Sequence, residues 1–233
     1  MANPALVSLT FDDGLRCQFQ RAVPILDQHG FPATFFLVAN TDPIHTDGHP
    51  HPDWLKSNWS AEDIRFLKQM IQRGHEVGAH SMTHRRPDLD NDPKFEAEGS
   101  KQWIENRLEV ETSSYCYPFY HITEPIKAAV IDGGYAQARG GTKGAYYSLN
   151  DSIDLFNVDA RQITQNEQVG TWLKSGCWHV LVFHGIGTWD DGWEPITEQQ
   201  FAAQMKELAR HCDSGAAEVV TFKEGAGRRG GNR

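Results

Sequence analysis

The sequence predicts an α/β fold, a parallel barrel whose chemistry sits at the carboxyl edge of its strands. Strand-like apolar runs alternate with amphipathic helical stretches along the chain, the pattern of βαβ units. Several runs end in a carboxylate, an imidazole or a proline, and the loops that follow barrel strands are where such residues act. A length of 233 residues suits one domain of this kind, and no internal repeat is visible. A doubly wound open sheet is the alternative.

The first strand, residues 5–10, is continuously apolar or β-branched and runs into Phe11-Asp12-Asp13-Gly14. A helix over 16–28 follows, with Phe19, Val23 and Leu26 recurring, Pro24 inside it and Gly30 as its stop. Residues 33–38 are an unbroken β-branched and aromatic run, the mark of a buried parallel strand. The stretch 39–59 carries His45, His49, His51, Trp54 and Trp59 and is too long for a mere connection, which suggests a binding loop. Its three histidines stay outside the metal set, because a His-rich surface loop is more often simply polar.

Ser60-Ala61-Glu62-Asp63 caps a helix that reaches Arg73 with Ile64, Leu67, Met70 and Ile71 on one face, and Gly74 ends it. A strand then leads to His80. The next helix spans 92–110 with Trp103, Ile104 and Leu108 inward, and a strand over 114–117 ends in Pro118-Phe119-Tyr120. A helix over 122–131 precedes strands at 135–138 and 155–158, with a polar loop over 139–151 between them. A helix over 164–174 leads to the most apolar strand, 180–183, which stops at His184-Gly185. A helix over 197–211 and a strand over 218–222 complete the domain, taken as residues 1–224. Residues 225–233, rich in glycine and arginine and without apolar anchors, are expected to form a mobile tail.

Bulk properties narrow the function classes. A net charge of −9 with 39% hydrophobic residues fits a soluble globular protein and argues against nucleic acid as a partner. No stretch has the length of a membrane span, and Met1-Ala2-Asn3-Pro4 lacks the pattern of a signal peptide. The chain as given is therefore expected to be cytoplasmic, or secreted if a leader has been trimmed. Cys17, Cys116, Cys177 and Cys212 show no CxxC spacing and are expected to be free thiols.

The chemistry lies in two motifs. Adjacent carboxylates at a strand end are costly to bury unless a cation compensates them. His80-Ser81-Met82-Thr83-His84 supplies imidazoles four residues apart, which share a face on one helical turn or a tight loop imitating it. One carboxylate and two imidazoles make a hydrolytic metal site with open positions, and the remaining carboxylate beside it is a general base. Taken singly, each motif has a plain alternative: a solvated turn for the acids and a surface pair for the histidines.

Thr10-Phe11-Asp12-Asp13-Gly14 and Gly74-His75-Glu76-Val77-Gly78-Ala79-His80-Ser81-Met82-Thr83-His84 together resemble the first two motifs of the polysaccharide deacetylases, the NodB-homology domain of carbohydrate esterase family 4. The resemblance extends from Leu6 to about Phe222. It implies a distorted, NodB-like (β/α) barrel of about seven parallel strands, a divalent ion held by Asp13, His80 and His84, and Asp12 as base. Zinc is the ion expected, with cobalt or nickel as substitutes. Val182-Phe183-His184 resembles the family's Leu-x-His motif, which implies that His184 protonates the leaving group; an isolated buried histidine is the alternative. Cys116-Tyr117-Pro118-Phe119 stands where the family has Arg-x-Pro-Tyr, so the arginine that pairs with the base is missing from its usual place. Arg139, at the end of the next strand, is the candidate replacement. The Phe119 N–H is implied as an oxyanion donor, and Tyr117 is grouped with it at the substrate.

Asp159, in the indistinct fourth motif, is a candidate to orient His184 or else a solvated loop acid. Trp189 and Trp193 follow His184 on a glycine-containing loop and either stack on sugar rings or cover the barrel rim. The implied activity is deacetylation of N-acetylated carbohydrate of chitooligosaccharide or peptidoglycan type, with acetylated carbohydrate as the partner expected and neither nucleic acid nor membrane. Alternatives are O-deacetylation of xylan, hydrolysis of a non-sugar amide or imide, or an inactive carbohydrate-binding relative.

Overall fold

The computed structural model describes residues 3–39, 59–88, 92–141, 144, 146–165 and 167–229. The strand β1, Ala5–Phe11, is buried along its whole length and forms the spine of the sheet. It pairs in parallel with β2 (Thr34–Leu37) near its carboxyl end, with β9 (Ala217–Val219) near its amino end, and with β8 (Cys177–Phe183) along the other edge. From β2 the sheet continues in parallel through β3 (Glu76–Ala79), β4 (Ser114–Cys116) and β5 (Gln137–Arg139). The remaining gap is spanned by β7 (Arg161–Gln162), parallel to β8, and by a parallel bridge between Arg139 and Val158. The result is the distorted (β/α) barrel of about seven parallel strands.

Two cores follow from the alternation of β1. Ala5, Val7, Leu9 and Phe11 face the surrounding helices, where Phe11 stacks between Phe35 and Phe183 with ring centroids 4.8 and 5.2 Å away. Leu6 faces the barrel interior with Phe36, Trp178, Val180, Val182 and Phe222. Each large side chain so buried contributes roughly 1.5–3 kcal/mol relative to exposure.

The helices largely meet expectation. A wide turn over Gln18–Ala22 leads into α1, Val23–His29, so Pro24 falls in the first turn, where its missing N–H costs little. Helix α2, Ala61–Gln72, begins with the expected capping box: the Ser60 hydroxyl accepts from the Asp63 N–H at 3.2 Å, and the Asp63 carboxylate accepts from the Ser60 N–H at 2.8 Å. A wide turn over Phe95–Gly99 precedes α3, Ser100–Leu108; α4 spans Glu124–Asp132 and α5 spans Glu198–Asp213. No helix among the described residues is long and apolar enough to cross a membrane.

Four expectations need correction. Residues 155–158 are not a strand, since only Val158 bridges to Arg139, while part of the expected loop forms β6, Tyr146–Ser148, antiparallel to β8. The helix over 164–174 reduces to one turn, Val169–Thr171, because the Val169 and Gly170 N–H groups donate to the Glu207 carboxylate of α5, each at 3.0 Å. The last strand ends at Val219 and the chain turns into α6, Phe222–Arg229. The mobile tail expected from Gly225 is thus helical through Arg229. Gly225 lets this helix lie against Trp178, where a Cβ would stand 2.3 Å from the indole Nε1, and Arg228 pairs with Glu218 at 2.6 Å. His45, His49, His51 and Trp54 lie outside the described residues.

Candidate active site

The barrel places the ends of β1, β3, β4, β5 and β8 around one mouth. Phe11 and Phe183 are in register, the Asp12 N–H donates to the Phe183 carbonyl at 3.1 Å, and the Gln18 amide donates to both the Asp12 and His184 carbonyls at 2.6 and 3.0 Å. Gln18 therefore fastens the two strand ends to each other. Beyond these ends the backbone turns sharply. Asp13, Ser81, His84, Phe119 and Tyr120 all have positive φ, between 56° and 70°, and they are five of the seven such non-glycine residues among those described. Each costs on the order of 1–3 kcal/mol, a burden that concentrates at functional sites.

Asp13 and the two histidines converge. Asp13 Oδ1 lies 3.4 Å from His80 Nε2 and 3.2 Å from His84 Nε2, and the three ligand atoms lie within 4.8 Å of one another. His80 Nδ1 is 2.9 Å from the Cys116 carbonyl, which can only accept, so the ring's hydrogen resides on Nδ1. A neutral His80 therefore turns the lone pair of Nε2 toward a carboxylate oxygen. That arrangement is repulsive unless a cation joins the two, and a mixed oxygen and nitrogen donor set suits a divalent ion such as zinc. Where no ion stands between them, a proton takes its place: against burial, the charge of Cys116 and the contact with Asp13 raise the His80 imidazole well above its ordinary value, and against burial the imidazoles hold the Asp13 carboxyl well below the ordinary carboxylate range. The residues present fit a metal ion.

Asp12 stands beside this trio as a second, separate acid. It is 1% exposed and its Oδ2 pairs with the Nη2 of Arg139, itself fully buried. The same Oδ2 lies 3.6 Å from His184 Nε2 and 3.8 Å from Cys116 Sγ. Arg139 thus reaches Asp12 from the end of β5, as its sequence position suggests, and also donates to Cys116 Sγ at 2.7 Å. Burial works against the charge on Arg139, but Asp12 outweighs it and raises the guanidinium further. Among the described residues, Asp12 Oδ1, Arg139 Nε and Nη1, and His184 Nδ1 have no hydrogen-bond partner. Buried polar atoms left open in one cluster mark a place for a ligand or water.

His184 is 7% exposed, and burial pushes its imidazole below the ordinary value, against the pull of Asp12 and Asp13. It is oriented by Tyr120, whose Oη lies 3.1 Å from His184 Nε2 and donates to Gln162 Oε1 at 3.1 Å. Asp159 does not orient it: His184 Nδ1 has no partner, and Asp159 lies beside Gly141 with its N–H donating to the Tyr147 hydroxyl at 2.7 Å. Tyr117 also departs from expectation. It is fully buried against Tyr115 and spends its hydroxyl on the Phe156 carbonyl, so it is part of the wall. Phe119 is 53% exposed with its ring 4.7 Å from that of His84.

Trp189 and Trp193, 67% and 52% exposed, stand nearly perpendicular with centroids 6.4 Å apart. Their loop is tied to the residue after His184 by the Gly185 N–H donating to the Trp193 carbonyl at 3.3 Å, and the Arg21 to Asp191 pair at 2.8 Å fastens it to the first helical turns. Sequence reasoning missed the structural parts played by Gln18, Tyr120 and Gln162. Tyr120 had a signal in its place after a strand-end proline, whereas Gln162 had none.

The chain's residues 2–138 match the family model described as polysaccharide deacetylase. The chain is similar to a chitooligosaccharide deacetylase of Sinorhizobium fredii, 26% identical over 62% of this chain and 57% of that protein. It is also similar to a peptidoglycan-N-acetylglucosamine deacetylase of Bacillus cereus, 26% identical over 46% of this chain and 45% of that protein. The matches thus span about half the length of these relatives. Among solved structures, the Xyl-CE4 domain of a multidomain xylanase from the hindgut metagenome of Trinervitermes trinervoides superposes with a TM-score of 0.64. It is 18% identical, over 99% of this chain and 93% of that one, and shares the fold. With β1 and β3, which lead into the first two motifs, inside the matched range, the chain belongs to the polysaccharide deacetylase family, the NodB-homology group of carbohydrate esterase family 4.

Proposed function

We propose that the chain is a metal-dependent hydrolase that removes acetyl groups from N-acetylated carbohydrate of chitooligosaccharide or peptidoglycan type, releasing acetate and an amino sugar. The observation that carries this reading is the pairing of a complete donor trio, Asp13, His80 and His84, with a separate carboxylate on Asp12 at the same mouth. The relatives named above, which are deacetylases of such sugars, support the substrate class.

Asp13, His80 and His84 would hold the ion, expected to be zinc with cobalt or nickel as substitutes. Bound there, a divalent cation polarises a carbonyl and acidifies water. Asp12, paired with Arg139, takes the proton of the attacking water. His184, beside Asp12, delivers a proton to the departing nitrogen. The Phe119 N–H is assigned to the oxyanion, a role that a backbone donor fills whether the ring is Phe or Tyr. Trp189 and Trp193, exposed on a loop tied to Gly185, are assigned to stacking on sugar rings.

A second reading keeps this machinery and changes the substrate to an O-acetylated xylan or a non-sugar amide or imide. The observation favouring it is the half-exposed Phe119 ring, which lacks the phenol of the family motif. Acetate release from chitooligosaccharides, peptidoglycan fragments and acetylated xylan, with ring opening of small imides followed alongside, separates the two. Turnover of N-acetylated sugars over the others is the result expected. Turnover of xylan or imide alone selects the second reading, and no turnover of any substrate by zinc-loaded protein removes both.

A further inference from the structure

The mouth contains a hydrogen-bond chain that no motif supplies. Gln162, on β7, accepts at Oε1 from the Tyr120 hydroxyl at 3.1 Å, and the same hydroxyl oxygen lies 3.1 Å from His184 Nε2. A phenol has one hydrogen. Because the amide oxygen can only accept, that hydrogen is committed to Gln162, and the phenol oxygen can only accept from its other neighbour. The second neighbour of His184 Nε2 is Asp12 Oδ2 at 3.6 Å, also an acceptor. Two acceptors and no donor therefore face one imidazole nitrogen, and the arrangement is satisfied only when that nitrogen carries a hydrogen. Among the described residues nothing bonds the opposite nitrogen, Nδ1.

We propose that Tyr120 and Gln162 are positioning residues that fix the hydrogen of the neutral His184 ring on Nε2, the nitrogen facing Asp12, so that the second proton, which makes the ring an acid, enters at Nδ1 and the Nε2 proton is the one delivered. The inference rests on the acid role given to His184 above. Once the imidazolium has given up its Nε2 proton, the neutral ring keeps its hydrogen on Nδ1 and turns the Nε2 lone pair toward the oxygens of Tyr120 and Asp12, which favours return of a proton to Nε2. The Tyr120 backbone supports a built arrangement: its φ of 56° costs energy that glycine would avoid, yet glycine could not bridge Gln162 to His184. The ring is held further by the Arg139 guanidinium, 5.5 Å from its centroid.

The test is nitrogen NMR on zinc-loaded protein carrying labelled histidine, with the His184 signals assigned through His184→Gln. At a pH where the ring is neutral, the parent should show Nε2 protonated and Nδ1 bare. Tyr120→Phe removes an acceptor, and Gln162→Leu frees the phenol hydrogen to turn toward His184. Each should move the ring toward the opposite tautomer and lower kcat on the order of tenfold or more with KM nearly unchanged. Gln162→Glu, which still accepts from Tyr120, should retain the parent tautomer. A parent ring protonated at Nδ1, or a tautomer unmoved in both Tyr120→Phe and Gln162→Leu whatever their turnover, would overturn the proposal. The spectra need no substrate, so the absence of deacetylase activity would defeat the functional reading without touching this one. Should one variant not fold, the other decides through the same spectrum.

Discussion

Replacing Arg139 by methionine isolates the most consequential charge pair in the molecule. Arg139 is fully buried and Asp12 is 1% exposed, so neither group can turn to solvent when its partner is lost. Methionine keeps much of the packing against Phe36 and Tyr120, whose ring centroids lie 5.6 and 5.5 Å from the guanidinium carbon. What remains is a buried carboxylate without its counterion. Removing one member of a buried pair costs about 3–5 kcal/mol, consistent with about 4 kcal/mol for contacting charges at an effective dielectric of about 20. For a chain of this size each kcal/mol lowers the melting temperature by about 2–4 °C. Arg139→Met should therefore melt roughly 6–20 °C below the parent. The informative comparison is a double-mutant cycle with Asp12→Asn, followed by thermal and urea unfolding. Removing both charges should restore at least half of the loss and give a coupling energy above about 2 kcal/mol. Additive effects, or an Arg139→Met variant within about 1 kcal/mol of the parent, would refute the pairing as the reason for the arrangement.

The divided roles of the acids predict that Asp12→Asn retains a tightly bound zinc ion while losing turnover. Asp13→Ala, His80→Ala and His84→Ala should lose both; elemental analysis beside acetate release checks this, and equal metal content in all four variants would contradict it. Trp189→Ala and Trp193→Ala should raise KM roughly threefold to tenfold with little change in kcat, as expected for loss of a stacking surface worth about 0.5–1.5 kcal/mol; unchanged KM and unquenched indole fluorescence on adding chitooligosaccharide would count against the assignment. Burial raises the Glu76 carboxyl above its ordinary value, against hydrogen bonds from Ser114, the Lys223 N–H and Thr34. A raised folded-state value means that its favourable contribution is full below the ordinary glutamate range and is lost as pH rises through the folded value. Glu76→Gln should therefore stabilise near neutrality, with the gain shrinking on acidification; a gain that grows in acid would reverse the sign.

Where strands are fully buried, composition alone reveals them. The runs ending at Asp12 and His184 are long, apolar and abruptly terminated by a polar group, so both their state and their chemistry are visible in one dimension, whereas the short Glu76–Ala79 run is marked chiefly by the histidines that follow it. Arg139 was also within reach, because β5 is parallel to β4 and places it opposite Cys116, the position where the motif arginine is missing. The failures are cases in which distant residues decide. The turn at Val169–Thr171 is fixed by Glu207, far along the chain, and α6 forms despite its two glycines because one of them lets it lie against Trp178. Asp159 is merely near an expected motif in sequence, while the contact to His184 comes from Tyr120, a residue that no periodicity singles out. A short polar strand such as Arg161–Gln162 owes its pairing to the seam it fills rather than to its own propensities.

Among the described residues that seam is held by a single bridge, between Arg139 and Val158, with the amides of Ala138, Val158, Gly140 and Ala160 donating across it at 2.7, 3.0, 2.8 and 2.8 Å. The counterion of Asp12 hangs from the same residue that makes the bridge. Loss of the Asp12 pair is therefore expected to loosen the wall at the same residue, and deuterium uptake by the amides of Gly140 and Val158 should quicken whenever Asp12 and Arg139 come apart.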